Sequence, residues 1–123
     1  MTTPAVRGLR GATTVEDDRP DLIADATVEL LGELLERNGL TTDHVISVLF
    51  SSTEDLVSAF PATGARHAGF GDVPLMCARE IPVPGSMQRC IRVLLHVETT
   101  QSRSELHHVY LRDAKGLRDD LPS

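Results

Sequence analysis

The side chains in this sequence that could do chemistry are mainly arginines. Eleven of the twelve basic residues are arginine, and only Lys115 is lysine. A guanidinium is a planar fork that holds a carboxylate with two hydrogen bonds. A GC-rich genome would also raise the arginine count. Only the positions of the individual arginines can show whether some of them bind a ligand.

Three polar side chains stand out against their local pattern. Arg92 lies in the middle of the most apolar segment of the chain, where a charge is costly unless it is paired. Glu80 follows a short apolar run and precedes a Pro/Gly loop, and such loops often line clefts. Tyr110, the only tyrosine, lies in an otherwise apolar run. Arg92 fits a solvated sheet face, an ion pair with Glu80 or a ligand-binding role, and the pattern leaves all three open.

A further arginine, Arg10, lies between Gly8 and Gly11, and glycines let a backbone or a ligand approach closely. The sequence has no Ser-His-Asp signature, Walker loop or dinucleotide-binding glycine fingerprint. His107 and His108 have no further ligand at helical spacing, so no metal site is expected. Arginines, one carboxylate and one tyrosine, without a nucleophile or a cofactor motif, predict an enzyme that works by positioning and electrostatics.

Charge and composition narrow the class of protein. The net charge is −6 and the pI is about 5.2, so nucleic acid is not an expected partner. No apolar run is long enough to cross a membrane, and the N-terminus lacks a basic segment followed by an apolar one, so we expect a cytoplasmic protein.

Cys77 and Cys90 have neither disulfide-framework nor zinc spacing. We interpret them as buried thiols, with a site role for one of them as the alternative.

The elements that must position these side chains belong to one domain, residues 1–123. An amphipathic helix is predicted over residues 20–38, with Pro20 near its start, leucines at helical spacing and Asn38-Gly39 at its end. A short helix is predicted between Pro61 and Gly69. Strands are predicted over residues 6–13, 44–51, 73–78, 90–98 and 107–111. This order predicts an α/β fold with a five-stranded mixed sheet and the helices on one face.

Short blocks along the chain resemble the trimeric, α/β class of chorismate mutases. The blocks are residues 6–16, 53–56, 59–62, 65–66, 73–74 with Cys77 and Glu80, 83–86, 89–93, 108–111, 117–118 and 120–121. Each block is weak by itself, but their common order from about residue 5 to residue 121 makes the resemblance specific. The resemblance implies a homotrimer that forms a pseudo-α/β barrel, with active sites between subunits.

The resemblance also implies a reaction and roles for individual residues. Chorismate would rearrange to prephenate within one molecule, a Claisen rearrangement in phenylalanine and tyrosine biosynthesis, without cofactor or metal. By resemblance, Arg92 would meet the ether oxygen, Arg10 a substrate carboxylate, Glu80 and Cys77 the ring hydroxyl, and Tyr110 the enolpyruvyl end.

Other contacts implied by the resemblance come from segments farther along the chain. Phe60 would pack on the ring and Arg66 would meet a carboxylate, both from the neighbouring subunit. Leu117 and Arg118 lie in a tail that would close over the ligand. Two positions depart from the family pattern. Thr63 stands where some relatives have lysine near the site entrance, and Met76, a proposed substrate-binding residue beside Cys77, replaces a smaller polar residue seen in relatives.

Two other functions remain as alternatives. A small trimeric imine deaminase would also hold carboxylates in arginine-lined clefts between subunits. A non-catalytic trimer that binds a small carboxylate would keep the fold without the reaction. Arg92 and Glu80 argue against the second alternative, because a decayed site would lose its costly charges first.

Overall fold

The computed structural model describes residues 3–117, which form one five-stranded mixed sheet with helices. The strands are β1 (Ala5–Thr14), β2 (Val45–Ser52), β3 (Leu75–Arg79), β4 (Cys90–Thr99) and β5 (Val109–Tyr110). Their order in the sheet is β3-β2-β4-β1-β5. The central strand β4 is antiparallel to both neighbours, whereas β1 with β5 and β2 with β3 are parallel pairs. The predicted α/β class and mixed sheet are confirmed.

Two helices cover one face of this sheet. The long helix α1 is Pro20–Arg37, and the short helix α2 is Pro61–Ala65, which continues into a wider turn, Arg66–Phe70. Apolar side chains of both helices and of β1, β2 and β4 form the main core between the helices and the sheet. Three short 3₁₀ segments complete the described structure: Thr42–His44, Arg103–Glu105 and Arg112–Leu117. None of the helices within residues 3–117 is long and apolar enough to cross a membrane.

The helix α1 lies unusually close to β1, and a glycine allows this. A Cβ at Gly11 would come within 3.0 Å of side-chain atoms of Leu30 and Leu34. Gly11 therefore serves close packing of a helix on a strand, and it faces away from the side of the sheet that carries Arg10. Asn38 then fastens the end of α1, because its side chain hydrogen-bonds the backbone N–H and C=O of His107.

Two predicted strands are shorter than the sequence pattern indicates. Strand β3 begins at Leu75, after Pro74, whose carbonyl accepts a hydrogen bond from the Val48 N–H. Strand β5 is only Val109–Tyr110, because the backbone N–H of His107 is already bonded to the Asn38 side chain. The first difference follows from Pro74, which has no N–H to donate to a neighbouring strand. The second arises from a contact with a distant part of the chain, which a local pattern does not contain.

The face of the sheet opposite the helices, here called the open face, is the one that concerns function. The predicted alternation along β4 is confirmed, since the odd-numbered residues from Ile91 to Val97 are buried under the helices. The even-numbered residues, beginning with Arg92, lie on the open face. Exposed apolar side chains also lie there, including Val6, Leu49 and Met76.

Candidate active site

Strand pairing brings two predicted site arginines onto the open face. Arg92 of β4 lies directly opposite Ala12 of β1 and Ser51 of β2. Because side chains two residues apart share a face, Arg10 lies on the same face as Ala12 and Arg92. Two cations that are 82 residues apart in sequence therefore stand on adjacent strands on one side of the sheet.

Glu80 is held beside Arg92 by two contacts to one of its carboxylate oxygens. Its Oε2 lies 2.8 Å from Arg92 Nε and accepts a hydrogen bond of 2.7 Å from the Ser51 hydroxyl. The Glu80 backbone N–H also donates to the Ser52 carbonyl, 2.9 Å away, which fixes the start of the loop after β3. The Arg92 side chain is 43% exposed and that of Glu80 is 17% exposed. The ion pair that the sequence left open is therefore formed.

The ion pair does not satisfy the Arg92 guanidinium. The Nε atom is buried, and although Oε2 is close, the Nε–H bond is not directed at this oxygen or at any other acceptor within residues 3–117. A buried donor without an acceptor is costly, and such groups occur where a ligand or water completes the site. The short distance shows attraction between the charges, and the exposed end of the guanidinium is available to a ligand.

A small apolar cluster supports Arg92 from the same face. Ala12, Cys90 and Ala114 are buried, and Tyr110 and Leu117 pack against them. Burial raises the pKa of the Cys90 thiol to about 11, while the nearby Arg92 guanidinium acts in the opposite direction. Cys90 is thus a neutral, buried thiol, in agreement with the simpler of the two interpretations, and it adds no negative charge beside Arg92.

Tyr110 and the segment after it complete this group. Tyr110 of β5 pairs with Ala12, which lies opposite Arg92. The backbone N–H of Arg10 donates to Nδ1 of His108, 2.9 Å away, which ties the two strands together. Leu117 ends the 3₁₀ segment that packs against this corner, and Arg118 lies outside the described residues. The structure therefore brings Arg10, Glu80, Arg92, Tyr110 and Leu117 to one end of the open face.

The other predicted site residues lie elsewhere. Cys77 pairs with the buried Phe50, so its side chain is on the helix side of β3, opposite to Glu80. With Phe60 and Thr63 it lines a cleft of about 500 Å³ along the edge strand. Phe60 is 69% exposed, and Arg66 is exposed where α2 ends. Met76 lies on the open face at the same edge. Within one chain, Phe60 and Cys77 are thus separated by the sheet from Arg92.

Ser51 is a site residue that the sequence interpretation missed. Its hydroxyl bonds Glu80 and its position is directly opposite Arg92. The only signal was that Ser51 and Ser52 end a strand whose other residues, apart from Ser47, are apolar. Within residues 3–117 no group of three or more His, Cys, Asp or Glu side chains has a geometry that could hold a metal ion.

Known proteins share this fold and sequence over nearly the whole chain. A family model described as chorismate mutase type I matches residues 6–121. Chorismate mutase AroH of Thermus thermophilus is 53% identical over 119 residues, covering 96% of this chain and 98% of the relative. Chorismate mutase AroH of Bacillus subtilis (strain 168) is 40% identical, covering 94% and 92%. A solved chorismate mutase from Clostridium thermocellum has a TM-score of 0.88 and 48% identity, covering 89% of this chain and 98% of that chain. The chain therefore belongs to the chorismate mutase type I family.

Proposed function

We propose that this chain converts chorismate to prephenate, the activity in the names of its relatives. The observation that carries the proposal is the Arg92–Glu80 ion pair on the open face, which strand register places on the same side of the sheet as Arg10 and Tyr110. An intramolecular rearrangement transfers no group to the protein, so a site built from cations, one carboxylate and one hydroxyl is sufficient for it. Catalysis then consists of holding the compact conformer of the substrate and stabilising the charge that develops.

Arg92 is the residue proposed to act on the developing charge. Negative charge grows on the ether oxygen as the C–O bond breaks, and the exposed end of the guanidinium can donate to it. Glu80 Oε2 is occupied by Arg92 and Ser51, which leaves Oε1 for the ring hydroxyl of the substrate. Arg10 would bind a carboxylate and Tyr110 would orient the enolpyruvyl group.

The separation of Phe60 and Cys77 from Arg92 supports an active site shared between subunits. The cleft with Phe60 and Cys77 opens at the edge strand β3, on the helix side. The open face bears exposed apolar side chains, with Met76 65% and Val6 57% exposed, and these need a partner to leave water. A homotrimer with the open faces inside would cover them and would bring the cleft of one subunit to the Arg92 group of the next.

The proposal is tested by following the loss of chorismate absorbance with purified wild-type protein and with Arg92→Ala. We expect wild-type turnover without added metal, and a fall in kcat of about 10³-fold or more in the variant, as for loss of a main charge-stabilising donor. Arg92→Lys should recover only part of the rate, since an ammonium lacks the planar fork.

The matched control is Arg37→Ala, which removes an arginine that pairs with Glu33 on the surface of α1. This variant should keep the wild-type kcat. A folded wild-type protein without turnover would overturn the proposed reaction, and a fully active Arg92→Ala variant would overturn the proposed mechanism.

A further inference from the structure

The segment Thr53-Glu54-Asp55-Leu56 is not explained by the site as described so far. It follows β2 and forms a turn in which the Leu56 N–H donates to the Thr53 carbonyl. Its carboxylate, Asp55, accepts two hydrogen bonds from the backbone N–H of Arg89, at 3.0 Å to Oδ2 and 3.2 Å to Oδ1. The Thr53 hydroxyl donates to the same carboxylate. The Asp55 carboxylate is thus bonded to Arg89, just before β4, and to Thr53 of its own turn.

The residue that Asp55 holds has an unusual backbone conformation. Arg89 has a φ of +49°, in the left-handed region that residues with a Cβ seldom adopt. Such a conformation persists only where the surroundings determine it. Asp55 is the carboxylate that receives the Arg89 N–H, so it holds the Arg89 backbone in this conformation.

The same turn also fixes the residue that follows Arg89. The Cys90 N–H donates to the Thr53 hydroxyl at 3.0 Å, and the Thr53 N–H donates to the Cys90 carbonyl at 3.1 Å. On the other side of β4, Arg89 exchanges hydrogen bonds with the backbone of Val15. The first residues of β4 are therefore fastened to the ends of both neighbouring strands.

These hydrogen bonds hold the start of the strand that carries Arg92. Arg92 is the third residue of β4, about 10 Å along the strand from Arg89. We propose that Asp55 is a positioning residue for Arg92: by holding Arg89 in the left-handed conformation, it sets the direction in which β4 begins and thereby the position of the Arg92 guanidinium relative to Glu80. The inference rests on the proposed role of Arg92.

The first experiment measures kcat and KM for Asp55→Ala. A misplacement of about 1 Å can cost about 10²-fold in rate, so we expect kcat to fall by about 10- to 100-fold with a smaller change in KM. If the alanine variant does not fold, Asp55→Asn keeps one oxygen acceptor and should show a smaller loss of kcat. A kcat of Asp55→Ala within about twofold of wild type would overturn the proposal, and if only Asp55→Asn folds, the same result for that variant would overturn it.

The second experiment separates positioning from general stabilisation by changing Arg89. Glycine adopts the left-handed conformation freely, so in an Arg89→Gly background the conformation no longer depends on Asp55. We expect Asp55→Ala to lower kcat by less than about threefold in that background. An equally large loss of kcat in both backgrounds would overturn the proposal, because the effect of Asp55 would then not depend on the cost of the left-handed conformation at residue 89.

The matched control is Glu105→Ala, which removes a carboxylate that accepts the backbone N–H of Ser102 at 2.8 Å. Ser102 lies beyond the opposite end of β4, so this change removes the same kind of hydrogen bond far from Arg92. Its kcat should equal that of wild type. Full activity of Arg92→Ala would instead overturn the proposed role of Arg92. Failure of the Asp55 proposal and failure of the Arg92 proposal are therefore distinguishable.

Discussion

At the scale of single residues, the site depends on how one carboxylate is shared. Glu80 Oε2 receives both the Arg92 cation and the Ser51 hydroxyl, so the carboxylate is turned and its other oxygen faces outward. Arg92 makes no second ion pair within residues 3–117, and its Nε–H lacks an acceptor there. We therefore expect Ser51 to affect activity more than a hydroxyl bonded to a neutral group would, because it orients the Glu80 carboxylate.

Ser51→Ala tests this arrangement. A hydrogen bond to a charged group contributes about 1.5–3 kcal/mol, so we expect kcat/KM for chorismate to fall by about 10-fold or more. Ser47→Ala is the matched control, because Ser47 lies on the same strand and bonds His96, farther along β4 from Arg92. Equal activities of the two variants in a steady-state assay would contradict the role given to Ser51.

At the scale of elements, the loop that carries Phe60 is held by the start of α1. Asp18 Oδ1 accepts the backbone N–H groups of Val57 at 3.1 Å and Ser58 at 3.0 Å. The Ser58 side chain and these backbone donors lower the pKa of the Asp18 carboxyl below 3.8. The position of Phe60 therefore depends on Asp18, which precedes Val57 by 39 residues and Ser58 by 40.

The lowered pKa of Asp18 predicts a pH dependence. Its contribution to stability is complete above the unfolded-state value of 3.8 and is lost as the pH falls through the lower folded-state pKa. The difference in Tm between wild type and Asp18→Ala should therefore be constant above pH 3.8 and shrink below it. Asp18→Asn keeps an acceptor that does not titrate, so its difference from the alanine variant should not change with pH. Thermal melts from neutral pH to below pH 3.8 measure both Tm differences. If the Tm difference between wild type and Asp18→Ala stays unchanged in acid, the lowered pKa of Asp18 is contradicted.

At the scale of the whole molecule, the two groups of proposed site residues lie on opposite sides of the sheet. Arg92 and Arg10 are on the open face, whereas Phe60 and Cys77 line the cleft on the helix side. A ligand the size of chorismate cannot touch both groups across one sheet. The proposed homotrimer resolves this separation by pairing the cleft of one subunit with the open face of another.

Mixing two inactive variants tests the shared site. Arg92→Ala and Arg66→Ala should each lower activity strongly as pure trimers. In trimers assembled from equal amounts of both, about a quarter of the sites would combine an intact Arg92 with an intact Arg66. Co-refolding should therefore recover about a quarter of wild-type activity, and mixing already folded proteins without subunit exchange should recover none. Absence of recovery in co-refolded trimers would show that both arginines act within one subunit.

Much of the fold and part of the site were predictable from the sequence. Alternation along β4 placed Arg92 on the face opposite to the core, and helical spacing located α1, because these periodicities are properties of single elements. The resemblance to chorismate mutases is confirmed by the family match over residues 6–121. The roles of individual residues remain predictions.

Only the tertiary structure decided which side chains meet. Ser51 and Glu80 are 29 residues apart, and Asp55 and Arg89 are 34 apart, so no local pattern contains these contacts. The same holds for the placement of Cys77 on the side of β3 away from Glu80, which follows from its pairing with Phe50. The sequence by itself determined the elements and the family, because periodicity and motifs are local. Strand order and register decided the site, because they bring together residues that are distant along the chain.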